Sequence, residues 1–122
     1  MLTERQAIEI FGALAQVTRL RIVRALVIAG PDGMSAGSLA GATDVSPSNL
    51  SFHLRELEGA GLVSSRREQR SIIYVCGYDT LAHMQTFLME NCCAASPCKG
   101  AGRPPGTAVG APRKRTIKNG GR

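Results

Sequence analysis

The chain has 122 residues, 43% of them hydrophobic, which is enough apolar material for one compact domain and too little for a second. No run approaches the roughly 20 apolar residues of a membrane span, and the charged, amphipathic opening MLTERQAIEIFG lacks the apolar block of a signal peptide, so a cytoplasmic protein with no membrane partner is expected. The net charge of +6 resides in the tail: residues 99–122 hold seven basic and no acidic side chains, leaving residues 1–98 at −1, so the total by itself does not argue for nucleic acid.

Helical spacing of Ile8, Phe11 and Leu14, with Ala7 and Ala15 beside them, predicts a first helix over residues 3–15. A second starts near Thr18, with Leu20, Val23, Leu26 and Val27 as its expected buried stripe and Arg19, Arg21 and Arg24 on other faces. Gly30-Pro31-Asp32-Gly33 ends it, because Gly permits a C-terminal cap and Pro cannot continue the ladder. Ser35 is the N-cap of a short third helix carrying Leu39 and Ala40; Gly41-Ala42-Thr43-Asp44 closes that helix and Val45 returns to the core.

Ser46-Pro47 opens a fourth helix, SPSNLSFHLRELEGAG, in which Ser caps and Pro occupies a position where its missing N–H costs nothing. Leu50, Leu54 and Leu57 fall in one narrow stripe, and Ser48, Ser51, Phe52 and Arg55 gather on the opposite side. A solvated helix more often shows Glu and Lys there, whereas a helix entering a major groove needs short hydrogen-bonding side chains near its N-terminus. Asn49 flanks this face and suits bidentate reading of adenine. Phe52 suits contact with a thymine methyl, packing on a neighbouring helix being the alternative. His53, on the border of the leucine stripe, reads as a packing histidine rather than a metal ligand.

After Gly59-Ala60-Gly61 the period changes: Leu62 and Val63 begin one strand and Ile72–Cys76 form the next, around a basic hairpin holding Arg66, Arg67, Glu68, Gln69 and Arg70. Those arginines either keep an edge ribbon soluble or meet phosphates and a minor groove. A fifth helix runs from Asp79 through TLAHMQTFLMENC, and its stripe of Leu81, Met84, Phe87 and Leu88 exceeds what so small a core needs, so pairing with the first helix at a two-fold dimer interface is expected. The Gly- and Pro-rich segment 100–122 is expected to be disordered, its basic run either solvated or adding sequence-independent DNA affinity.

This order of elements, and above all the pair HLRELEGAGLV and RREQRSIIY, resembles the ArsR/SmtB family of arsenic- and metal-responsive repressors over residues 3–92. The resemblance implies a mainly α fold with a small β-hairpin, a homodimeric winged helix-turn-helix over residues 1–92, followed by a cysteine-containing segment and basic tail over 93–122. It implies a non-enzymatic repressor that occupies double-stranded operator DNA and releases it when an ion binds. On that carry-over Ser46, Ser48, Asn49, Ser51, Phe52, His53 and Arg55 belong to the recognition helix, and Arg66, Arg67 and Arg70 to the wing. Many arsenic-responsive relatives carry a Cys-x-Cys pair in the third helix, but MSAGSLAGAT contains no cysteine, so the ligand must bind elsewhere.

ENCCAASPC offers that place. In a reducing compartment four cysteines in a short chain read as ligands or reactive thiols rather than a disulfide framework. Cys92 and Cys93 diverge if helical and converge only near a fraying helix end, and Pro97 supplies a turn that swings Cys98 back. Three soft thiolates without a nearby His or carboxylate suit trigonal pyramidal As(III) or Sb(III) better than tetrahedral Zn(II). As(III) or a related thiophilic ion is therefore the expected inducer, with no organic cofactor. Hg(II), Cd(II), Bi(III), Zn(II) or thiol oxidation are the alternatives, and a cysteine-dependent reductase is disfavoured because neither a phosphate cradle nor a Cys-x-x-Cys motif is present. Cys76 reads as a small buried hydrophobe and His83 as a packing residue, outside this site.

Overall fold

The computed structural model describes residues 2–96. Helix α1 (Glu4–Leu14) opens with a capping box: the Thr3 hydroxyl accepts from the Gln6 backbone N–H, and the Gln6 side chain accepts from that of Thr3. Its buried positions are Ala7 and Ile10, while Ile8 is 69% exposed. Ile8 lies about 100° from Ala7 and about 160° from Ile10, off the face that meets the core, whereas Ala7 and Leu14 of the expected set do pack there.

Helix α2 (Val17–Ala29) buries Ile22, Val23 and Leu26, and leaves Leu20 and Val27 44% and 45% exposed. Val23 and Leu26 are buried as expected, but the buried face is rotated by about 60° from the expected stripe, taking in Ile22 and leaving Leu20 and Val27 outside. Gly30 (φ 80°) ends the helix in a 3₁₀ turn, Gly30–Asp32. There follows a strand not expected from the sequence, β1 (Met34–Ser35), too short to show a period of its own. Gly33, also at positive φ (72°), sits where a Cβ would collide with the Tyr74 carbonyl, which leaves glycine as the residue that lets this turn lie against the sheet.

Ser35 caps α3 (Ala36–Thr43), accepting from the Ser38 N–H, and the buried Thr43 hydroxyl donates to the Leu39 carbonyl at 2.7 Å. Asp44 closes α3 in the left-handed region (φ 58°) and leads to α4 (Pro47–Gly59), capped by Ser46. Strands β2 (Val63–Glu68) and β3 (Ser71–Cys76) form the hairpin, and β1 pairs with the far side of β3, giving an antiparallel sheet in the order β1-β3-β2. Helix α5 (Tyr78–Met89) follows; it stops three residues short of the Cys92 limit expected for it.

The core gathers Ile10, Ile22, Val23, Leu26, Leu39, the three leucines of α4, Leu62, Val63 and Cys76. The described residues divide into two units, one ending at Leu88 and one beginning at Met89. This is a helical fold with a three-stranded antiparallel sheet, a winged helix-turn-helix.

Candidate nucleic-acid interface and vicinal cysteines

Helix α4 is held by its leucines. Leu50, Leu54 and Leu57 are 2%, 2% and 0% exposed, so the helix has one face in the core and no freedom to roll. The consequence is that Ser48, Asn49, Ser51 and Arg55 are presented outward, and no acidic residue intervenes between Ser46 and Arg55. The Ser46 hydroxyl is taken by the Asn49 backbone N–H at 3.4 Å, which starts the helix at Pro47 and leaves the Asn49 amide side chain exposed. An outward N-terminus with hydroxyls, an amide and positive dipole character is suited to phosphates and base edges.

Phe52 and His53 are tied to a residue absent from the sequence reading of this face. Arg19, near the start of α2, donates from Nε to His53 Nδ1 at 3.1 Å and from Nη1 to the Ala13 carbonyl at 3.4 Å, and lies 5.5 Å from the centre of the Phe52 ring. The Phe52 and His53 rings meet edge to face at 5.4 Å. Because Nδ1 accepts, the His53 proton sits on Nε2, and burial followed by the nearby Arg19 charge lowers its pKa from the ordinary 6.5. Phe52 remains 50% exposed, so the cation–π contact fixes the ring without hiding it. No local pattern links Arg19 to His53, which stand 34 residues apart; Arg19 is visible in sequence only as a polar residue off the buried stripe.

The hairpin separates its arginines. Arg66 faces Ile73 across the ladder and Arg67 faces Ile72, and neighbouring residues of a strand point to opposite faces. Arg66 is engaged: Nε donates to Glu68 Oε2 at 2.8 Å, Nη1 to the Pro31 carbonyl at 3.3 Å and Nη2 to the Asp32 carbonyl at 3.1 Å. Arg67 and Arg70 are exposed, Arg70 next to Gln69, whose φ of 56° turns the chain.

In the second unit, Cys92 and Cys93 lie in the exposed turn 90–96, where Cys92 N–H donates to the Met89 carbonyl and Ser96 N–H to that of Cys93. Asn91 and Cys93 both adopt positive φ (62°), so the vicinal side chains do not diverge as they would on a helix, and their Sγ atoms stand 3.5 Å apart. Cys93 is disulfide-bonded. Cys98 lies outside the described residues, as does the basic tail; among the described residues no group of three or more His, Cys, Asp or Glu side chains is placed to hold an ion. Cys76 is 3% exposed on β3 and burial raises its pKa, the behaviour of a core residue. His83 is exposed on α5. Among the described residues no helix is long and apolar enough to cross a membrane.

Comparison with known proteins places this geometry. A helix-turn-helix domain model matches residues 14–66, from the end of α1 to the middle of β2. The HTH-type transcriptional regulator YceK of Bacillus subtilis (strain 168) is 31% identical over 80 residues, covering 66% of this chain and 76% of the relative. Among solved structures, an ArsR-like transcriptional regulator from Rhodococcus sp. RHA1 is 32% identical with a TM-score of 0.62, over 69% of this chain and 76% of that one. A possible transcriptional regulator for arsenical resistance is 30% identical with a TM-score of 0.58, over 66% and 80%. A homodimeric winged helix-turn-helix DNA-binding domain from Mycobacterium bovis, 24% identical with a TM-score of 0.58 over 72% and 85%, shares the fold.

Proposed function

Because the chain belongs to the ArsR family of DNA-binding transcriptional regulators, we propose that it is a homodimeric repressor that leaves its operator when trivalent arsenic, inorganic or methylated, or antimony is captured by Cys92, Cys93 and Cys98. The observation that carries the sensor assignment is the 3.5 Å separation of the Cys92 and Cys93 sulfurs. Two thiolates about 2.3 Å from one ion, at pyramidal to tetrahedral angles, stand roughly 3.4–3.8 Å apart, so once the disulfide at Cys93 is reduced this spacing suits a shared soft ion. Cys98 is the nearest further thiol in sequence and supplies the third ligand in this reading.

DNA is read by α4. Asn49 and Arg55 address base edges, Ser46, Ser48 and Ser51 address backbone and bases, and Phe52 offers its exposed ring to a thymine methyl, with His53 holding that ring in place. The dimer is supported by apolar side chains left uncovered on α1 and α5, Ile8 at 69% and Leu88 at 61% exposure; a second copy of this chain is their occupant. Two-fold symmetry would then set two α4 helices over a pseudo-palindromic site.

A second reading rests on the disulfide at Cys93: oxidation, rather than ligation, is the signal. In that chemistry a peroxide takes two electrons and two protons from a pair of thiols, forms the disulfide and leaves as water. The two readings separate in one assay. Protein reduced with a thiol-free phosphine is bound to a fluorescent promoter fragment, and anisotropy is followed on adding As(III) in one arm and, after removal of the phosphine, peroxide in the other. Release by As(III) supports the primary reading, release by peroxide alone supports the second, and absence of sequence-selective binding to the fragment contradicts the repressor assignment itself.

A further inference from the structure

The wing carries Arg66, Arg67 and Arg70, and by sequence all three are equivalent candidates for phosphate contact; the structure makes them different. Arg66 spends its guanidinium within the fold. One edge meets the Glu68 carboxylate on the same face of β2, and the two Nη atoms reach the carbonyls of Pro31 and Asp32, in the turn between α2 and β1. That turn is itself fastened to β3: Gly33 packs so closely under Tyr74 that no Cβ fits, and β1 pairs Met34 with Tyr74 and Ser35 with Ile73. Arg66 pairs with the same Ile73 from the other side. The side chain therefore ties the outer strand of the hairpin to the turn beyond the sheet's opposite edge.

We infer that Arg66 is a positioning residue that sets the angle of the wing on the helical body, and that the wing's contact with DNA is made by Arg67 and Arg70. This rests on the reading of the hairpin as a DNA-contacting wing. The chemistry favours the assignment. A two-stranded ribbon projecting from a small domain flexes about its base, and contacts at its tip gain affinity only if that flexing has already been restrained. A planar fork that satisfies two carbonyls and a carboxylate together is a task for Arg and not for Lys, whose single ammonium lacks the geometry. Arg67, on the opposite face of β2, and Arg70, at the turn, have exposed side chains and are placed to meet a polyanion.

Phosphate contact and positioning leave different marks on binding. A residue that neutralises a phosphate lowers the slope of log K against log salt by about one when removed, whereas a positioning residue lowers affinity and leaves the slope unchanged. The experiment measures operator binding by the full-length protein across a salt series for the wild type, Arg66→Ala, Arg66→Lys, Arg67→Ala and Arg70→Ala, with thermal unfolding of each to check the fold. The expected result is a loss of roughly tenfold for both Arg66 variants, the order of one or two charge-assisted hydrogen bonds, at unchanged slope. Arg67→Ala and Arg70→Ala each reduce the slope by about one. Hydroxyl-radical footprints of Arg66→Lys keep the protection given by α4 and lose that given by the wing. If Arg66→Lys binds like the wild type, or Arg66→Ala reduces the slope, Arg66 is a phosphate contact and the inference is overturned while the DNA-binding wing stands. If Arg67→Ala and Arg70→Ala change neither affinity nor slope, the wing does not touch DNA and both readings are overturned together.

Discussion

Helix α4 and the turn 90–96 hold most of the residues assigned here to function, and they are built on opposite principles. The outward face of α4 is fixed because its other face is one of the most buried surfaces in the protein, with Leu57 fully inaccessible. Every residue of the turn 90–96 is exposed, and its shape comes from a few backbone hydrogen bonds, two residues at positive φ and the disulfide at Cys93 rather than from packing. A reader of DNA must present a preset face; a sensor must change shape when it captures its ligand, and a segment with little buried area does so at small cost. Stability and sensing are therefore expected to separate cleanly under mutation.

The largest effect falls on the packed region. Leu57→Ala removes a fully buried side chain and is expected to cost about 2–5 kcal/mol of unfolding free energy, read by thermal or urea denaturation, with operator binding lost in proportion to the unfolded fraction. Asn49→Ala leaves stability intact but is expected to cost about 1–3 kcal/mol of discrimination at one base pair, seen when the operator is varied position by position. Ser46→Ala removes the N-cap of α4 and should destabilise by about 1 kcal/mol. A smaller, pH-dependent effect belongs to His53. Its folded-state pKa is depressed below 6.5, so the unfolded chain binds the proton more readily; its contribution is complete above about pH 6.5 and is lost as pH falls through the lowered folded value. His53→Gln is expected to flatten that part of the stability profile. Smallest of all, Cys92→Ser should move the unfolding free energy by no more than about 0.5 kcal/mol. A larger change there would break the contrast, showing that the turn contributes to the fold.

The contrast also explains what could be read in advance. The leucine stripe of α4 and the Ser46-Pro47 start were legible because each is a local pattern, one apolar face and one cap. Helix α2 misled because it is apolar on two sides: Leu20 and Val27 look like core, yet Ile22 occupies that role. Strand β1 is two residues long and carries no periodic signal. The Arg19–His53 and Arg66–Asp32 hydrogen bonds each join residues 34 positions apart, and such pairings are set by tertiary geometry alone. The grouping of Cys92 with Cys93 was legible from adjacency, but the left-handed turn that brings their sulfurs together was not, because neither Asn91 nor Cys93 demands positive φ.

The most direct test of this division of labour is operator release by As(III) in the reduced Cys92→Ser, Cys93→Ser double variant beside the wild type, followed by anisotropy of the same labelled promoter fragment. The account predicts equal operator affinity for the two proteins, with As(III) releasing the wild type and leaving the variant bound. Release of the variant at the same As(III) concentration as the wild type would contradict it, because the sensing thiols would then lie elsewhere in the chain.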